Sequence, residues 1–360
     1  MRASRADVDG ALRVVASVLH RDPDGIRDVT RLERLHPGRF ARFALRHRVA
    51  GYLHRELSDA GLARLLPPAV EDELRRHYRD QVEIAADRLE DSREIRDAFR
   101  ERGLPVVFLK GPVFAERFFG GWENRFTWDT DILVRPGRDL LEARRALGDL
   151  GYRQRSGARF DLRTVARFTH DLEFERDDAT LDLHWSLGAH ASYRLDRDAA
   201  WRSRERVVVD GEPFPVLAPE YELLVAVLGI ARDLQRGRLR LKSCIDAYVL
   251  ARALDDEVRW EELARRRRRE GLRRVWPTIL DFALELLEGR SACPNLAGYL
   301  ARSDDVVHRH DREHALRLLA GSRHGLRNKA WMFGLYETGR LRSWTWWLLS
   351  QPVVRSAHCG

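Results

Sequence analysis

Two aspartates one residue apart, Asp129 and Asp131, stand at the entrance to the apolar run Ile132-Leu133-Val134. Successive side chains of a strand point to opposite faces, so a strand over roughly 129–134 sends both carboxylates to the same side. Like charges held a few ångströms apart repel, and a fold that accepts them must bring something positive to that face. The segment therefore demands a strand that is buried on one side and charged on the other.

The sequence around it supplies neighbours for such a strand. "LPVVFL", Leu104 to Leu109, is a short, partly β-branched apolar run that reads as a strand. Lys110-Gly111-Pro112 follows, then an amphipathic segment through Phe119. This is strand, turn and helix, with Gly111 near the cap and Pro112 at the first helical position, where its missing N–H costs nothing. After the Asp129 strand come a helix over "RDLLEARRALGDLGY" and two strands, "HDLEFER" and "TLDLHWSL", joined as a hairpin around Asp177-Asp178. "ERVVVDGEPFPVL" repeats the hairpin pattern with Asp210-Gly211 as its turn.

The flanks are helical in pattern. Leu74, Tyr78, Val82, Ala85, Leu89, Ile95 and Phe99 recur mostly at three- and four-residue spacing among charges, one apolar stripe on a long helix that Gly103 ends. From Pro219 onward the pattern is helical again. At 360 residues the chain exceeds what a single core usually serves, and three segments are expected: 1–103 helical, 104–218 a central α/β unit, and 219–360 helical.

Composition narrows the setting. Lys plus Arg number 64 against 56 Asp plus Glu, a formal net charge of +8 that is overwhelmingly arginine and suits an anionic partner without naming one. Cys244, Cys293 and Cys359 are odd in number and far apart, which points away from a disulfide framework or a thiolate metal site and toward a reducing cytoplasm. Asp7, Asp9 and Arg13 interrupt any apolar core for an export signal. "WTWWLLSQPVV", from Trp344, is far short of the ~20 residues that span a bilayer and is expected to pack as a helix on the protein body.

On the central unit, Asp182 and His184 of "TLDLHW" share one face of their strand, as Asp129 and Asp131 share one face of theirs. Were the two strands neighbours, three carboxylates would converge. A hard-oxygen set with a charge of about −3 suits Mg²⁺, or Mn²⁺, which keeps its remaining positions for water and substrate phosphates. A helix beginning at Gly111 offers free backbone N–H groups and the positive end of its dipole to phosphate, and Lys110 adds a full charge there. An Asp-x-His pattern also suits a transition metal, but no His-rich spacing around His184 or His170 supports that. His184 is instead placed on the substrate side of the site.

Lys110-Gly111 opening a helix, Arg125 four residues before Asp129-Thr-Asp131, and the later Asp182-Leu-His184-Trp185 resemble the uncharacterised nucleotidyltransferase branch of the polymerase-β-like nucleotidyltransferase superfamily. "VDGEPFPVLAPEYELL" and "LKSCIDAYVL" are similar to that branch too, so the resemblance covers about Leu104 to Leu250. It implies an α+β fold in which an α/β nucleotidyltransferase core with a small mixed sheet lies between N- and C-terminal helical regions. It also implies an enzyme that moves a nucleoside monophosphate from an NTP such as ATP to an acceptor. On the matching positions the catalytic metal ligands are Asp129, Asp131 and Asp182, and the nucleotide contacts are Lys110, Gly111 and Arg125. The superfamily's usual turn is Gly-Ser, and no serine stands beside Gly111.

Two other readings compete. The missing serine fits a nucleotide-responsive binding module with little turnover. "ARRRRREGLRR", with Arg265 to Arg269 and Arg273-Arg274, invites a non-enzymatic nucleic-acid binder. Five consecutive arginines on a helix point all round it, however, and no stacking-aromatic or helix-turn-helix pattern accompanies them, so a solvated helix is favoured. Asp246 in "CIDAY" reads as a polar residue facing a cleft, a cap or an ion-pair member. The acceptor, whether small molecule, peptide or tRNA, leaves no trace in the sequence, and no membrane partner is expected.

Overall fold

The computed structural model describes residues 5–31, 37–155, 164–165, 168–188, 193–307, 312–320, 331–336, 343 and 345–351. The N-terminal periodicity becomes helices α1 (Arg5–Leu19), α2 (Pro23–Arg31), α3 (Pro37–Arg46), α4 (Ala50–Asp59) and α5 (Pro68–Glu101). The central unit becomes β1 (Val107–Phe108), α6 (Pro112–Phe119), β2 (Asp129–Leu133), α7 (Arg138–Asp149), β3 (Arg153–Gln154), β4 (Asp171–Arg176), β5 (Ala179–His184), α8 (Arg197–Arg202), β6 (Glu205–Val209) and β7 (Glu212–Val216). Helices α9 (Pro219–Gln235), α10 (Leu241–Leu254), α11 (Trp260–Arg269), α12 (Val275–Leu286), α13 (Pro294–Arg302) and α14 (Arg312–Leu319) follow. The fold is mixed α and β with helical flanks at both termini, as expected.

By internal contacts the chain divides into two compact units, residues 1–82 with 226–337 and residues 83–225 with 338–360. The second carries the sheet. Among the described residues its seven strands lie in the order β3-β4-β5-β2-β1-β7-β6. The pairs β2/β5 and β1/β7 are parallel and the other four are antiparallel.

One face of this sheet is apolar. Phe108, Ile132, Leu172, Phe174, Leu181 and Leu183 alternate inward from four strands into a cluster with Leu89, Ile95 and Phe99 of α5 and Leu140, Ala143 and Leu147 of α7. Each fully buried large side chain here contributes roughly 1.5–3 kcal/mol, which fixes the register, because a slip of one residue would turn this apolar face outward and bring acids such as Asp131, Glu173 and Asp182 toward the core. Arginines tie α5 to the strands at its flank: Arg96 pairs with Glu212 at 2.8 Å, Arg93 with Asp210 at 3.0 Å and Arg176 with Asp91 at 2.9 Å. The helix ends where expected, with Gly103 at φ +62° and the Leu104 N–H on the Phe99 carbonyl at 2.8 Å, a closure that glycine adopts without strain.

The other unit is a set of helices with its own apolar interior. His47 is buried among them with Nε2 3.1 Å from the Leu319 carbonyl oxygen, and burial lowers its pKa to about 4. Asp255 binds the start of α13, accepting from the Asn295 and Leu296 N–H groups at 2.9 and 2.7 Å and from Trp260 Nε1 at 3.0 Å. Cys244 and Cys293 are buried free thiols whose pKa values burial pushes up, Cys293 to about 12; Cys359 lies outside the described residues.

Of the apolar C-terminal segment, residues 345–351 are helical and Trp344 and 352–354 lie outside the described residues. Trp346 packs on Phe168 with ring centroids 5.0 Å apart, whereas Leu348 and Leu349 are exposed. No helix of the described chain is long and apolar enough to cross a membrane.

Candidate active site

The face of the sheet opposite the core carries the acids. In the parallel pairing of β2 with β5, Asp129 lies opposite Thr180, Asp131 opposite Asp182 and Leu133 opposite His184. Cross-strand partners share a face, so Asp129, Asp131, Asp182 and His184 form one charged patch. Asp131 and His184 are buried, and Asp129 and Asp182 partly so. Asp131, Asp182 and His184 each present a ligand atom within 4.8 Å of the others.

The expected positive charge is Lys110. The Leu109 N–H bonds the Asp131 carbonyl at 3.0 Å, carrying the β1 strand one residue further along β2 and leaving Lys110 beside the patch, its Nζ 3.8 Å from Asp131 Oδ1. His184 Nε2 approaches the same oxygen at 3.0 Å. One lysine against three acids leaves the patch negative. The Asp182 carboxyl is accordingly held well above the usual carboxylate range, first by burial and then by the charges of Asp131, Asp171 and Asp129, with Lys110 opposing.

The turn after Lys110 is built for glycine. Gly111 has φ +80° and ψ −153°, a conformation open to glycine alone, while an added Cβ would meet only Thr127 Cγ2 at 3.8 Å. Backbone shape, not lack of room, is what requires the glycine. Gly111 supplies no side-chain cap to α6 and Pro112 follows at its first position, so no cap occupies the first-turn N–H groups. Arg117 anchors the helix, donating to the Leu217 carbonyl at 2.9 Å, pairing with Glu205, and lying 3.6 Å from Glu222.

Arg125 is buried with its guanidinium 4.8 Å above the Phe114 ring of α6. The stacking sets it against the helix that Gly111 opens. Glu173, opposite Asp182 on β4, is paired with Arg155, which also lies 3.7 Å from Glu175. Asp246 is buried on α10, in the other unit. The arginine run occupies α11, where Arg267 is fully buried against Glu270 at 3.0 Å and Arg268 pairs with Asp305 at 2.7 Å. Arg265, Arg268, Arg273 and Arg302 line a polar cavity of about 410 Å³ there together with Glu261 and Asp305.

Two groups escape a reading by motif. His170 and Asp171 also lie within 4.8 Å of His184. Glu222, at the start of α9, is buried, and burial pushes its carboxyl up to about 8 against the opposing charge of Arg117. The trace of Glu222 in the sequence is an acid inside the apolar run Tyr221-Glu222-Leu223-Leu224, a place where a charge is kept only for a partner or a purpose.

A mixed sheet that carries paired acids on the face away from its core, beside a lysine and a glycine-opened helix, frames the candidate site. The chain belongs to the uncharacterised nucleotidyltransferase family, whose family model matches residues 33–288. That match reaches beyond residues 104–250 into helices on both sides. No curated protein and no solved structure matches the chain.

Proposed function

We propose that the chain is a Mg²⁺-dependent nucleotidyltransferase, with Mn²⁺ able to replace Mg²⁺, that moves a nucleoside monophosphate from an NTP to an acceptor. The observation that carries this reading is the register of Asp131 opposite Asp182 on adjacent parallel strands, with Asp129 on the same face and Lys110 at 3.8 Å. The donor set fits the ion: carboxylate oxygens of Asp129, Asp131 and Asp182, with an Asp182 carboxyl that burial first and then its neighbours' charges discourage from ionising, as expected of acids arranged around a cation.

In this reading, two-metal in form, Asp129, Asp131 and Asp182 would hold one ion that lowers the pKa of an acceptor oxygen, and Asp129 and Asp131 would hold a second that neutralises phosphate charge. The chain's own groups do the rest. Lys110 and the first-turn N–H groups of α6 receive the phosphates, standing in for the Gly-Ser turn. Arg125, held on Phe114, adds a planar donor on the nucleotide side. His184 orients Asp131 by donating from Nε2 and faces the substrate. The chemistry is assigned to 104–218, the helical segments 1–103 and 219–360 are left for other tasks, and the enzyme works in the cytoplasm.

The test is pyrophosphate release from each of the four NTPs with Mg²⁺ against a panel of small-molecule, peptide and tRNA acceptors, in wild type and in Asp129→Asn plus Asp131→Asn. Release that the double variant abolishes supports the reading. A Mg·NTP thermal shift without release from any acceptor points instead to a nucleotide-responsive binding module. Salt-sensitive nucleic-acid binding indifferent to Asp129 points to a binder acting through α11.

A further inference from the structure

The β4/β5 hairpin brings together a second group of ligands that shares only His184 with the acid patch. Asp171 is the register partner of His184. The chain bends at His170, just before β4, and the His170 ring lies 5.6 Å from that of His184, centroid to centroid. His170, Asp171 and His184 thereby offer three ligand atoms within 4.8 Å of one another. His170 Nδ1 is 3.5 Å from Asp171 Oδ1.

His184 decides what this group is for. Its Nε2 is 3.0 Å from Asp131 Oδ1, and an ionised carboxylate only accepts, so Nε2 carries the proton and the neutral ring has its lone pair on Nδ1. That Nδ1 is buried and has no hydrogen-bond partner, in a residue only 5% exposed. A buried acceptor with nothing to accept costs roughly 1–3 kcal/mol. An imidazole that donates from one nitrogen to a carboxylate and turns the other to a cation is the usual arrangement of a metal-bound histidine.

We propose that His170, Asp171 and His184 form a cation site of their own, next to the acid patch, that takes a borderline transition metal such as Zn²⁺ or Co²⁺ rather than Mg²⁺. Two imidazoles and one carboxylate suit such ions, whereas Mg²⁺ prefers oxygen throughout. The set leaves coordination positions open for water or a substrate atom. A metal on Nδ1 also strengthens the Nε2–H donation to Asp131, so this site fixes the orientation of an acid in the patch. The proposal stands on this geometry and does not rest on nucleotidyl transfer.

The test uses the full-length protein, stripped with chelator and titrated with Co²⁺ in millimolar Mg²⁺ without nucleotide. Visible d–d absorption saturating at one equivalent, displaced by Zn²⁺, is expected, with X-ray absorption reporting two imidazoles on the cobalt. His170→Ala should weaken Co²⁺ binding by at least about tenfold while the Mg·NTP thermal shift persists, and Asp182→Asn should keep the cobalt spectrum. Absence of a saturable spectrum in wild type overturns the proposal. So does a cobalt centre with one imidazole, or one that survives His170→Ala and is lost in Asp182→Asn, because the ion is then held by Asp131, Asp182 and His184. If His170→Ala fails to fold, the imidazole count in wild type decides. Pyrophosphate release is read separately, so failure of the transfer reading leaves this result intact.

Discussion

Replacing Asp182 with asparagine should make the metal-free protein more stable, by an amount that grows with pH. The carboxylates of Asp131 and Asp182 present oxygens within 4.8 Å, and two unit charges at that distance repel by about 3.5 kcal/mol at an effective dielectric constant of about 20. Lys110 and partial exposure to water return some of this, leaving on the order of 1–3 kcal/mol, or roughly 2–4 °C in Tm for each kcal/mol. The folded Asp182 carboxyl titrates above its unfolded value, so between the two values the folded state keeps a proton that the unfolded chain has released. Stability therefore falls as pH rises through that window, and the loss is complete above it. The variant's advantage should be absent where both states are protonated and full above the window. Calorimetry or dye-based melting in chelator, from about pH 4 to about pH 9, measures it. A variant less stable than wild type at every pH, or a difference independent of pH, would refute the reasoning.

Other substitutions probe separate parts of the account. Glu222→Gln should flatten the loss of stability that this group causes as pH rises from the ordinary carboxylate range toward about 8, read from urea midpoints at acid, neutral and alkaline pH; an unchanged slope contradicts its burial as a strained acid. Gly111→Ala should cost about 1–3 kcal/mol through φ +80° alone, and an unshifted denaturant midpoint would show that the turn relaxes freely. Arg267→Ala should lose about 3–5 kcal/mol by stranding Glu270, with nucleotide affinity unchanged. Lys110→Ala should weaken Mg·NTP binding at least about tenfold, since a charge-assisted contact of about 1.5–3 kcal/mol is lost, with little change in melting of the nucleotide-free protein; loss of soluble protein would mark the lysine as structural.

What the sequence revealed follows from which interactions are local. Period-two alternation put Asp129 with Asp131 and Asp182 with His184 on single faces, and both pairs lie as read. The Asp210-Gly211 turn, with φ +48° and +82°, suits a two-residue hairpin of the primed type. The six-residue strand expected over 104–109 shrinks to Val107–Phe108, because Leu104 is engaged in closing α5. The strand β3 is two polar residues and leaves no periodic trace. That β2 lies parallel beside β5 depends on packing between segments 51 positions apart and is not written in either one. By contrast, the pairing of Asp171 with His184 was within reach: a two-residue turn at Asp177-Asp178 fixes Arg176 opposite Ala179 and, counting outward, Asp171 opposite His184. Spacing along the chain hid the histidine pair, while spacing along the hairpin would have revealed it.

The central claim is that Asp129, Asp131 and Asp182 together hold the cation of a bound nucleotide. Crystals of the full-length protein grown with Mn²⁺ and a non-hydrolysable NTP, with anomalous scattering collected at the manganese edge, test it most directly. The account predicts manganese coordinated by Asp129, Asp131 and Asp182, with the triphosphate running toward Lys110 and the first turn of α6. A nucleotide bound with its manganese clear of all three carboxylates would contradict it.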